Sequence, residues 1–302
     1  YEFVLARQGK EPLFDLRLLR YVGFRFGLLT VGVVALGEFG ILFILSLYLQ
    51  EVRGLSALNT GLLLLPFAGG AFVTAPIAGV LSSRFGPKWV ISAGMLLEAL
   101  AIFFISRVVQ VDTPLGVFIP IFLLYGIGLG LAIAQLTNVV LSNIPPQFAG
   151  TGSGANNTLR QVGAAIGVAI LGAVLSSQVA SVSTSRLSQS ANIPTVLKPT
   201  IQQLVDQGQP KEVIVTVVRN VVKGINAGQQ HGGPGGAPSR APVLDEAAIT
   251  HATGAILDDA ETQGTRDAGM FAALFVLLGA VSSLLIPNPA RKDDSESVPD
   301  VA

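Results

Sequence analysis

Long apolar runs separated by polar stretches dominate this sequence. Six runs cover residues 26–49, 60–83, 89–106, 115–141, 162–179 and 268–286, and we call them segments A to F. Each holds about 18 or more mostly apolar residues, enough for a helix to cross a hydrocarbon core about 30 Å thick. Because backbone polar groups inside a membrane must be satisfied within the segment itself, the pattern predicts an all-α membrane protein with six transmembrane helices.

One polar stretch, residues 180–267, is much longer than the other connections. It predicts a long loop between segments E and F with two surface helices, at about residues 210–226 and 244–261. In the first of these, a helical stripe is approximated by Val213, Val217, Val218 and Val221. Residues 228–242 are rich in Gly and Pro, which predicts a flexible link. Two interpretations of the loop remain open, an external cap or partner-binding site and a tolerated insertion.

The composition supports a membrane protein and excludes several classes of function. Of 302 residues, 50% are hydrophobic and 13% are charged, whereas a soluble domain is about a quarter charged. The net charge is zero, so no basic surface indicates nucleic-acid binding. There is no cysteine, which excludes disulfides and thiolate metal ligands, and no catalytic constellation is recognisable. We therefore predict a protein that is not an enzyme and that needs no cofactor or metal.

Basic side chains collect at three places along the chain. Five lie in residues 1–25, two in the B–C connection (Arg84 and Lys88), and two after segment F (Arg291 and Lys292). Since Lys and Arg favour the cytoplasmic side of a membrane, we predict that both ends of the chain are cytoplasmic. The expected organisation is a cytoplasmic lead-in (1–25), helices A to E (26–179), an extracytoplasmic loop (180–267), helix F (268–287) and a cytoplasmic tail (288–302).

Three stretches carry motifs of one transporter family. Residues 48–58 read YLQEVRGLSAL, residues 79–88 read GVLSSRFGPK, and residues 150–163 read GTGSGANNTLRQVG. The first resembles the pattern YLQ-x-x-x-G-x-S, the second the cytoplasmic loop signature G-x-L-x-D-R-x-G-R-K, and the third the pattern G-x-x-S-G-x-x-N-T-x-R-Q-x-G. Together they resemble the C-terminal half of a major facilitator superfamily transporter, most closely the fourteen-helix drug:proton antiporter branch.

This resemblance implies that segments A to F are the last six of fourteen helices and that the N-terminal half of the same chain is missing, which fits a sequence that begins with Tyr1. It implies a multi-pass protein of the bacterial cytoplasmic membrane whose partners are the lipid bilayer, protons and a small-molecule substrate. The expected function is proton-coupled efflux of lipophilic or cationic drugs by alternating access. Two alternatives remain, an exporter of one endogenous metabolite or antibiotic and a non-transporting scaffold whose loop binds a partner.

The loop signature implies a conformational latch on the cytoplasmic side. Its matching residues are Gly79, Arg84, Gly86 and Lys88. Gly79 would allow close approach of a neighbouring helix, and Gly86 would make a tight turn. The sequence departs from the family at Ser83, where the pattern has an acid, and at Pro87, where it has a basic residue, which puts the latch at this loop in doubt. The other interpretation is that the basic residues are anchors at the cytoplasmic surface.

Two acids, Glu38 in segment A and Glu98 in segment C, lie within membrane runs. Such residues are functional candidates because a charge there is costly. In the superfamily the first and fourth helices of each half line the central cavity. The resemblance therefore makes Glu38 a proton-coupling or substrate candidate, and Glu98 a candidate for packing or an interhelical hydrogen bond.

Segment D would be the second helix that lines the cavity. Its polar candidates for substrate contact are Tyr125, whose ring could face a cation, Gln135 and Asn138. Helix–helix bonding is the alternative for each. Glycines at 126, 128 and 130 lie within the apolar run, so they predict close helix contact rather than nucleotide binding.

The third motif lies at the entry to segment E, and its candidates are Gly154, Asn157, Arg160 and Gln161. We expect Asn156, Arg160 and Gln161 to lie where the cytoplasmic mouth of the cavity narrows. Two roles remain open for Arg160, pairing with an acid of the missing half and snorkelling to the membrane interface.

Overall fold

The computed structural model describes residues 16–230 and 243–285, and every regular element in that part of the chain is helical. The α-helices are α1 (Val22–Leu47), α2 (Ala57–Leu63), α3 (Leu65–Phe85), α4 (Pro87–Val108), α5 (Phe118–Ser142), α6 (Ala149–Gln189), α7 (Lys198–Asp206), α8 (Lys211–Gln230) and α9 (Glu246–Ser283). A π-helical turn, Tyr48–Val52, continues α1, and short 3-10 turns (Leu16–Arg20, Leu115–Val117 and Pro146–Phe148) precede α1, α5 and α6.

Six helical segments are long and apolar enough to cross a membrane: Val22–Val52, Ala57–Phe85, Pro87–Val108, Leu115–Ser142, Pro146–Gln189 and Glu246–Ser283. Segments A to E each lie within one of them, and segment F lies within the last as far as Ser283, so the prediction of six long apolar helices is confirmed. Segment B consists of α2 and α3, which meet at Leu64. Pro66 lies in the first turn of α3, where its missing N–H costs no intrahelical hydrogen bond.

The six long segments form one bundle around a common apolar core. In it α1 packs on α6, α5 packs between α3 and α4, and α9 packs on α1, α4 and α6. The α1–α5 contact is smaller than these but brings Tyr125 of α5 beside the backbone of Glu38.

Glycines let these helices touch backbone to backbone. A Cβ at Gly126 would collide with the carbonyl oxygen of Phe67 on α3, and one at Gly128 would lie 2.6 Å from the carbonyl oxygen of Gly94 on α4. Gly130 is similarly close to α3. The prediction that these three glycines serve close helix contact is confirmed.

The gap between segments D and E, residues 142–161, predicts a connecting loop (the D–E loop), and this prediction is wrong over most of its length. Helix α6 already begins at Ala149 and continues to Gln189, so it extends beyond segment E at both ends. The first three turns of α6 are rich in polar and glycine residues, so their low hydropathy predicts a loop. They are helical because one side of these turns packs on the bundle, where Gly152 and Asn156 are buried, while Gly154 and Asn157 are exposed.

The predicted long loop, residues 180–267, is also largely helical. It contains the end of α6, all of α7 and α8, and the first half of α9, which is continuous with segment F. We call α7 and α8 the helical cap. With the adjoining ends of α6 and α9 they enclose a second apolar core that includes Leu187, Ile201, Val218, Ile249 and Leu257.

The first predicted surface helix is confirmed as α8, but its predicted stripe is shifted. The buried positions are Ile214, Val218 and Val222, four residues apart, whereas Val213 is 41% exposed. The second predicted helix is the start of α9. Of the predicted flexible link, residues 231–242 lie outside the described part of the chain, as do residues 1–15 of the lead-in and the tail from 286 onward.

Candidate functional site

An ion pair lies near the middle of the bundle. Glu38, near the centre of the Val22–Val52 span, is 4% exposed, and its Oε1 lies 3.5 Å from Nη2 of Arg160 on α6. The Arg160 guanidinium also lies over the ring of Phe39, 5.6 Å from its centre, a favourable cation–π position. The Arg160 side chain is 35% exposed, while the Glu38 carboxylate is buried. The pair therefore links the buried face of α1 to the exposed face of α6.

A small cavity of about 20 Å³ lies beside this pair. Its walls are apolar side chains of α1 and α5 together with Thr137, Asn156 and Arg160. A space of this size holds about one water molecule. The side-chain oxygen of Asn156 is buried and has no hydrogen-bond partner in the described part of the chain, so the cavity contains an acceptor that a water molecule could satisfy.

Backbone contacts bracket the ion pair along the α1–α6 interface. A Cβ at Gly163 would collide with the carbonyl oxygen of Gly32, and one at Gly167 would collide with that of Leu36. A Cβ at Gly40 would lie 2.9 Å from the carbonyl oxygen of Gly167. Small residues therefore hold α1 and α6 at minimum separation on both sides of Glu38.

Tyr125 lies close to Glu38 but its ring is closed off. Its hydroxyl donates a hydrogen bond to the backbone carbonyl of Glu38 at 3.5 Å. The ring is 1% exposed and packs on Phe67, with 4.8 Å between ring centres. In this conformation Tyr125 joins α5 to α1 and has no free face for a substrate.

Glu98 differs sharply from Glu38. Its side chain is completely buried on α4, and within the described residues neither carboxylate oxygen has a hydrogen-bond partner. Of the two roles expected for Glu98, packing is what the described residues show, and the interhelical hydrogen bond is not formed. Glu38 and Arg160 lie within electrostatic range of it, so the two membrane acids belong to one electrostatic environment.

The remaining candidates separate into buried and exposed positions. Gln135 is buried on α5, whereas Asn138 is exposed. On α6, Asn156 and Arg160 are four residues apart and both line the small cavity, while Gly154, Asn157 and Gln161 are exposed. Helical spacing explains this separation, because residues four apart share a face.

The loop-signature residues lie around the α3–α4 connection. Gly86 has a φ of 87°, a left-handed value that favours glycine, and it links α3 directly to α4. Arg84 is exposed and Lys88 is half-buried, and no ion pair of either is found among residues 16–230 and 243–285. The expected close approach at Gly79 is absent from the described structure, since no atom lies within 4 Å of a Cβ built there.

Sequence reasoning selected Glu38 and Arg160 separately but missed their pairing. The reason is the incorrect D–E loop prediction, which placed Arg160 outside the apolar run. Its expected partner was therefore an acid of the missing half and not Glu38. In the part of the chain that the structure describes, no group of three or more His, Cys, Asp or Glu side chains could hold a metal ion.

Comparison with known proteins gives the family. A sequence profile of the Major Facilitator Superfamily matches residues 3–168, more than half of the chain. The chain is 36% identical over 189 residues to the tetracenomycin C resistance and export protein of Streptomyces glaucescens, a match that covers 63% of this chain and 35% of that protein. It is 28% identical over 214 residues to the multidrug resistance protein Stp of Mycobacterium tuberculosis, covering 68% and 38%.

A third relative, the lincomycin resistance protein LmrB of Listeria monocytogenes, is 31% identical over 169 residues, which cover 55% of this chain and 35% of the relative. The chain thus spans little more than a third of the length of these three relatives. The profile match, the bacterial export and resistance proteins and the six long apolar helices agree with one another. This chain belongs to the major facilitator superfamily.

Proposed function

We propose that this chain is the C-terminal six-helix half of a fourteen-helix exporter that expels lipophilic or cationic drugs in exchange for protons. The names of the relatives support drug export, and the fraction of each relative that the chain covers supports a half-transporter. In this proposal the protein lies in the bacterial cytoplasmic membrane with both ends of the chain in the cytoplasm and the helical cap outside.

Exposed apolar surfaces support a missing N-terminal half. Along α6, Val162, Ile166 and Ile170 form a stripe at four-residue spacing, and each is at least 40% exposed. On α3, Phe72 is 83% exposed. Such surfaces must face lipid or another apolar partner, and α6 carries its stripe on the helix that also presents Arg160. We assign the α6 stripe to contact with the N-terminal half.

The observation that carries the proposal is the buried Glu38 carboxylate with Arg160 as its one charged partner in the described structure. An ionised carboxylate inside a membrane segment costs several kcal/mol unless it is paired. Glu38 therefore has two low-energy states. In one it is ionised and paired with Arg160, and in the other it is protonated and releases the guanidinium.

These two states couple protonation to the α1–α6 interface. When Glu38 takes a proton, the attraction that holds Arg160 toward α1 disappears. Arg160, already one-third exposed, is then free to turn toward the space between the two halves. Because the same interface is built from glycine backbones on both sides of Glu38, small sliding movements meet few side-chain obstacles. In our proposal this switch couples the proton gradient to alternating access.

Other candidates take supporting roles. We assign Asn138, Asn157 and Gln161, which are exposed on α5 and α6, to substrate contact, with Gly154 giving space for it. Gln135 and Tyr125 hold the α5 side of the site. Arg84 and Lys88 act as cytoplasmic anchors, with the latch role weakened by Ser83.

A second candidate is an exporter of one antibiotic. The observation that favours it is the resemblance to a protein named for tetracenomycin C resistance and export. The two candidates share the proton step and differ in how many substrates the central site accepts.

Proton-driven efflux of a cationic dye tests the proposal. The full-length protein is placed in vesicles with a pH gradient, as native protein, as Glu38→Gln and as a control, Glu246→Gln, which removes a carboxylate far along α9. We expect the native protein and the control to export dye, and Glu38→Gln to bind dye but lose at least tenfold in gradient-driven export.

Equal export by native protein and Glu38→Gln would contradict the role of Glu38. A native protein that exports no lipophilic cation but does export a single antibiotic would contradict the multidrug proposal and favour the second candidate.

A further inference from the structure

A second, larger cavity lies at the end of the bundle that carries the helical cap. Its volume is about 400 Å³, within the range of about 300–1,000 Å³ typical of small-molecule sites. It lies between α1, α6 and α9 and is also lined by the turn between α7 and α8. We call it the cap cleft, and none of its lining residues belongs to the small cavity beside Glu38.

The walls of the cap cleft are largely apolar. They include Phe43 and Leu47 of α1, Leu175 and Val179 of α6, and Leu257 of α9. The Phe43 side chain is 41% exposed, so its ring offers an open aromatic surface. Walls of this kind accept the apolar body of an organic molecule, and an aromatic face also attracts a positive charge.

The charge around the cap cleft is negative. Glu51 and Glu261 line it, and Glu212 and Asp258 lie within electrostatic range of Glu261. The basic side chain in that range, Lys211, is already engaged, since it pairs with Asp258 and donates to the backbone carbonyl of Glu51 at 3.4 Å. For Glu261 itself the described structure contains neither a hydrogen bond nor an ion pair. Glu51 and Glu212 share a hydrogen bond, which requires one proton between them, and Lys211 is engaged by Asp258, so the carboxylate that a cation would complete is that of Glu261.

The turn between α7 and α8 is held in place beside the cleft. Gly208, with a φ of 67°, makes the turn between α7 and α8. Lys211 then ties this turn to α9 and to the end of α1 through its two contacts. The turn that lines the cleft is thus fastened to two of the helices that form its walls.

We infer that the cap cleft binds a lipophilic organic cation, with its apolar body against Phe43 and Leu257 and its positive charge beside Glu261 and Glu51. This site is separate from the central site of the proposed function. If the cap is extracytoplasmic, as proposed above, the cleft is a place where an exported cation rests before it leaves.

Photolabelling locates such a site directly. The full-length protein in nanodiscs is irradiated with a photoreactive tetraarylphosphonium cation, and the labelled peptides are identified by mass spectrometry. We expect labels within residues 172–179 and 257–265. A photoreactive tetraarylborate, of the same shape and opposite charge, should not label these peptides.

Two variants make the test specific. Glu261→Gln should lower labelling of these peptides by roughly tenfold, since it removes a carboxylate beside the bound charge, and Glu246→Gln on the same helix should not. Gly172→Leu should abolish labelling by filling the cleft, because a Cβ there meets only a Phe43 ring carbon at 3.8 Å and the added side chain has room to fold.

The outcomes separate this inference from the proposed function. Labels confined to other peptides, or equal labelling in native protein, Glu261→Gln and Gly172→Leu, would overturn the cap-cleft site. Labelling of the cleft peptides that is unchanged in Glu38→Gln would support it whether or not Glu38 couples protons.

Discussion

Two regions of this molecule place acidic side chains in apolar surroundings, and they are built for different occupants. Around Glu38 the helices meet backbone to backbone, the cavity is about 20 Å³ and the carboxylate has one charged partner. In the cap cleft no backbone atom lies within 4 Å of a Cβ built at Gly172, the cavity is about 400 Å³ and the acids outnumber the bases. The first region has room for a proton and about one water molecule, whereas the second has room for a drug-sized molecule.

A buried acidic side chain does not by itself define a role in this molecule. Volume decides which cation can reach the carboxylate, and helix spacing decides volume. At Gly167 the missing side chain lets two helix backbones touch, which leaves no cavity between them. At Gly172 no backbone lies near, so the missing side chain leaves the cavity open.

Alanine substitution of these two glycines should give the largest difference in stability between the two regions. Gly167→Ala places a Cβ against the carbonyl oxygen of Leu36, and we expect a loss of about 3 kcal/mol in unfolding free energy. Both substitutions gain about 1 kcal/mol of helix propensity. In Gly172→Ala the new methyl group meets only the Phe43 ring. This variant should keep or raise stability. Thermal unfolding of the two variants in one detergent checks this, and equal melting temperatures would show that α1 and α6 are not in tight contact.

Removing the partner of Glu38 should have the next largest effect. Arg160→Met leaves a buried carboxylate without its ion pair, and we expect a loss of about 2 kcal/mol in stability. Adding Glu38→Gln to Arg160→Met should recover most of that loss, because no buried charge then remains. Gln161→Met, at the exposed neighbouring position, is the matched control. Losses that simply add in the double variant would mean that the two side chains do not interact.

Substitution of Glu98 should change stability and efflux least, so the two membrane acids should differ clearly in their effects. Its carboxyl is buried without a partner in the described structure, a site that suits the neutral form. Glu98→Gln keeps the shape and should change stability by less than about 1 kcal/mol and efflux by less than about twofold. Dye efflux of Glu98→Gln beside Glu38→Gln measures this. Loss of gradient-driven efflux in Glu98→Gln would show that the coupling acid is Glu98 on α4 and not Glu38 on α1.

Much of the fold follows from hydropathy. The six apolar segments each lie on a long helix, because a membrane leaves a chain few other ways to satisfy its backbone. Helix ends outside the apolar runs could not be predicted in the same way. The first turns of α6 and the first half of α9 are polar on one side and held by packing on the other, as Asn156 and Ile249 show, and packing partners are distant in sequence.

The site was only half predictable for the same reason. Glu38 stands out as an acid inside an apolar run. Its pairing with Arg160 depends on which faces of α1 and α6 meet. Gly163 and Gly167 lie at that interface against the backbone of α1, and no pattern in the charged residues indicates it. The cap cleft is lined by residues of five separate helices and a turn. No local pattern at Glu261 indicates that it lines a cavity.

In the proposed exchange of drug for protons, Glu38 is the acid that holds the proton in its neutral state, so it should give up that proton when a cationic substrate binds. Proton release on addition of dye to full-length protein in weakly buffered detergent solution measures this directly, with a pH-sensitive indicator. We expect native protein to release protons as dye binds and Glu38→Gln to bind the same dye with no release. Equal proton release by the two proteins would contradict the claim and show that another acid carries the proton.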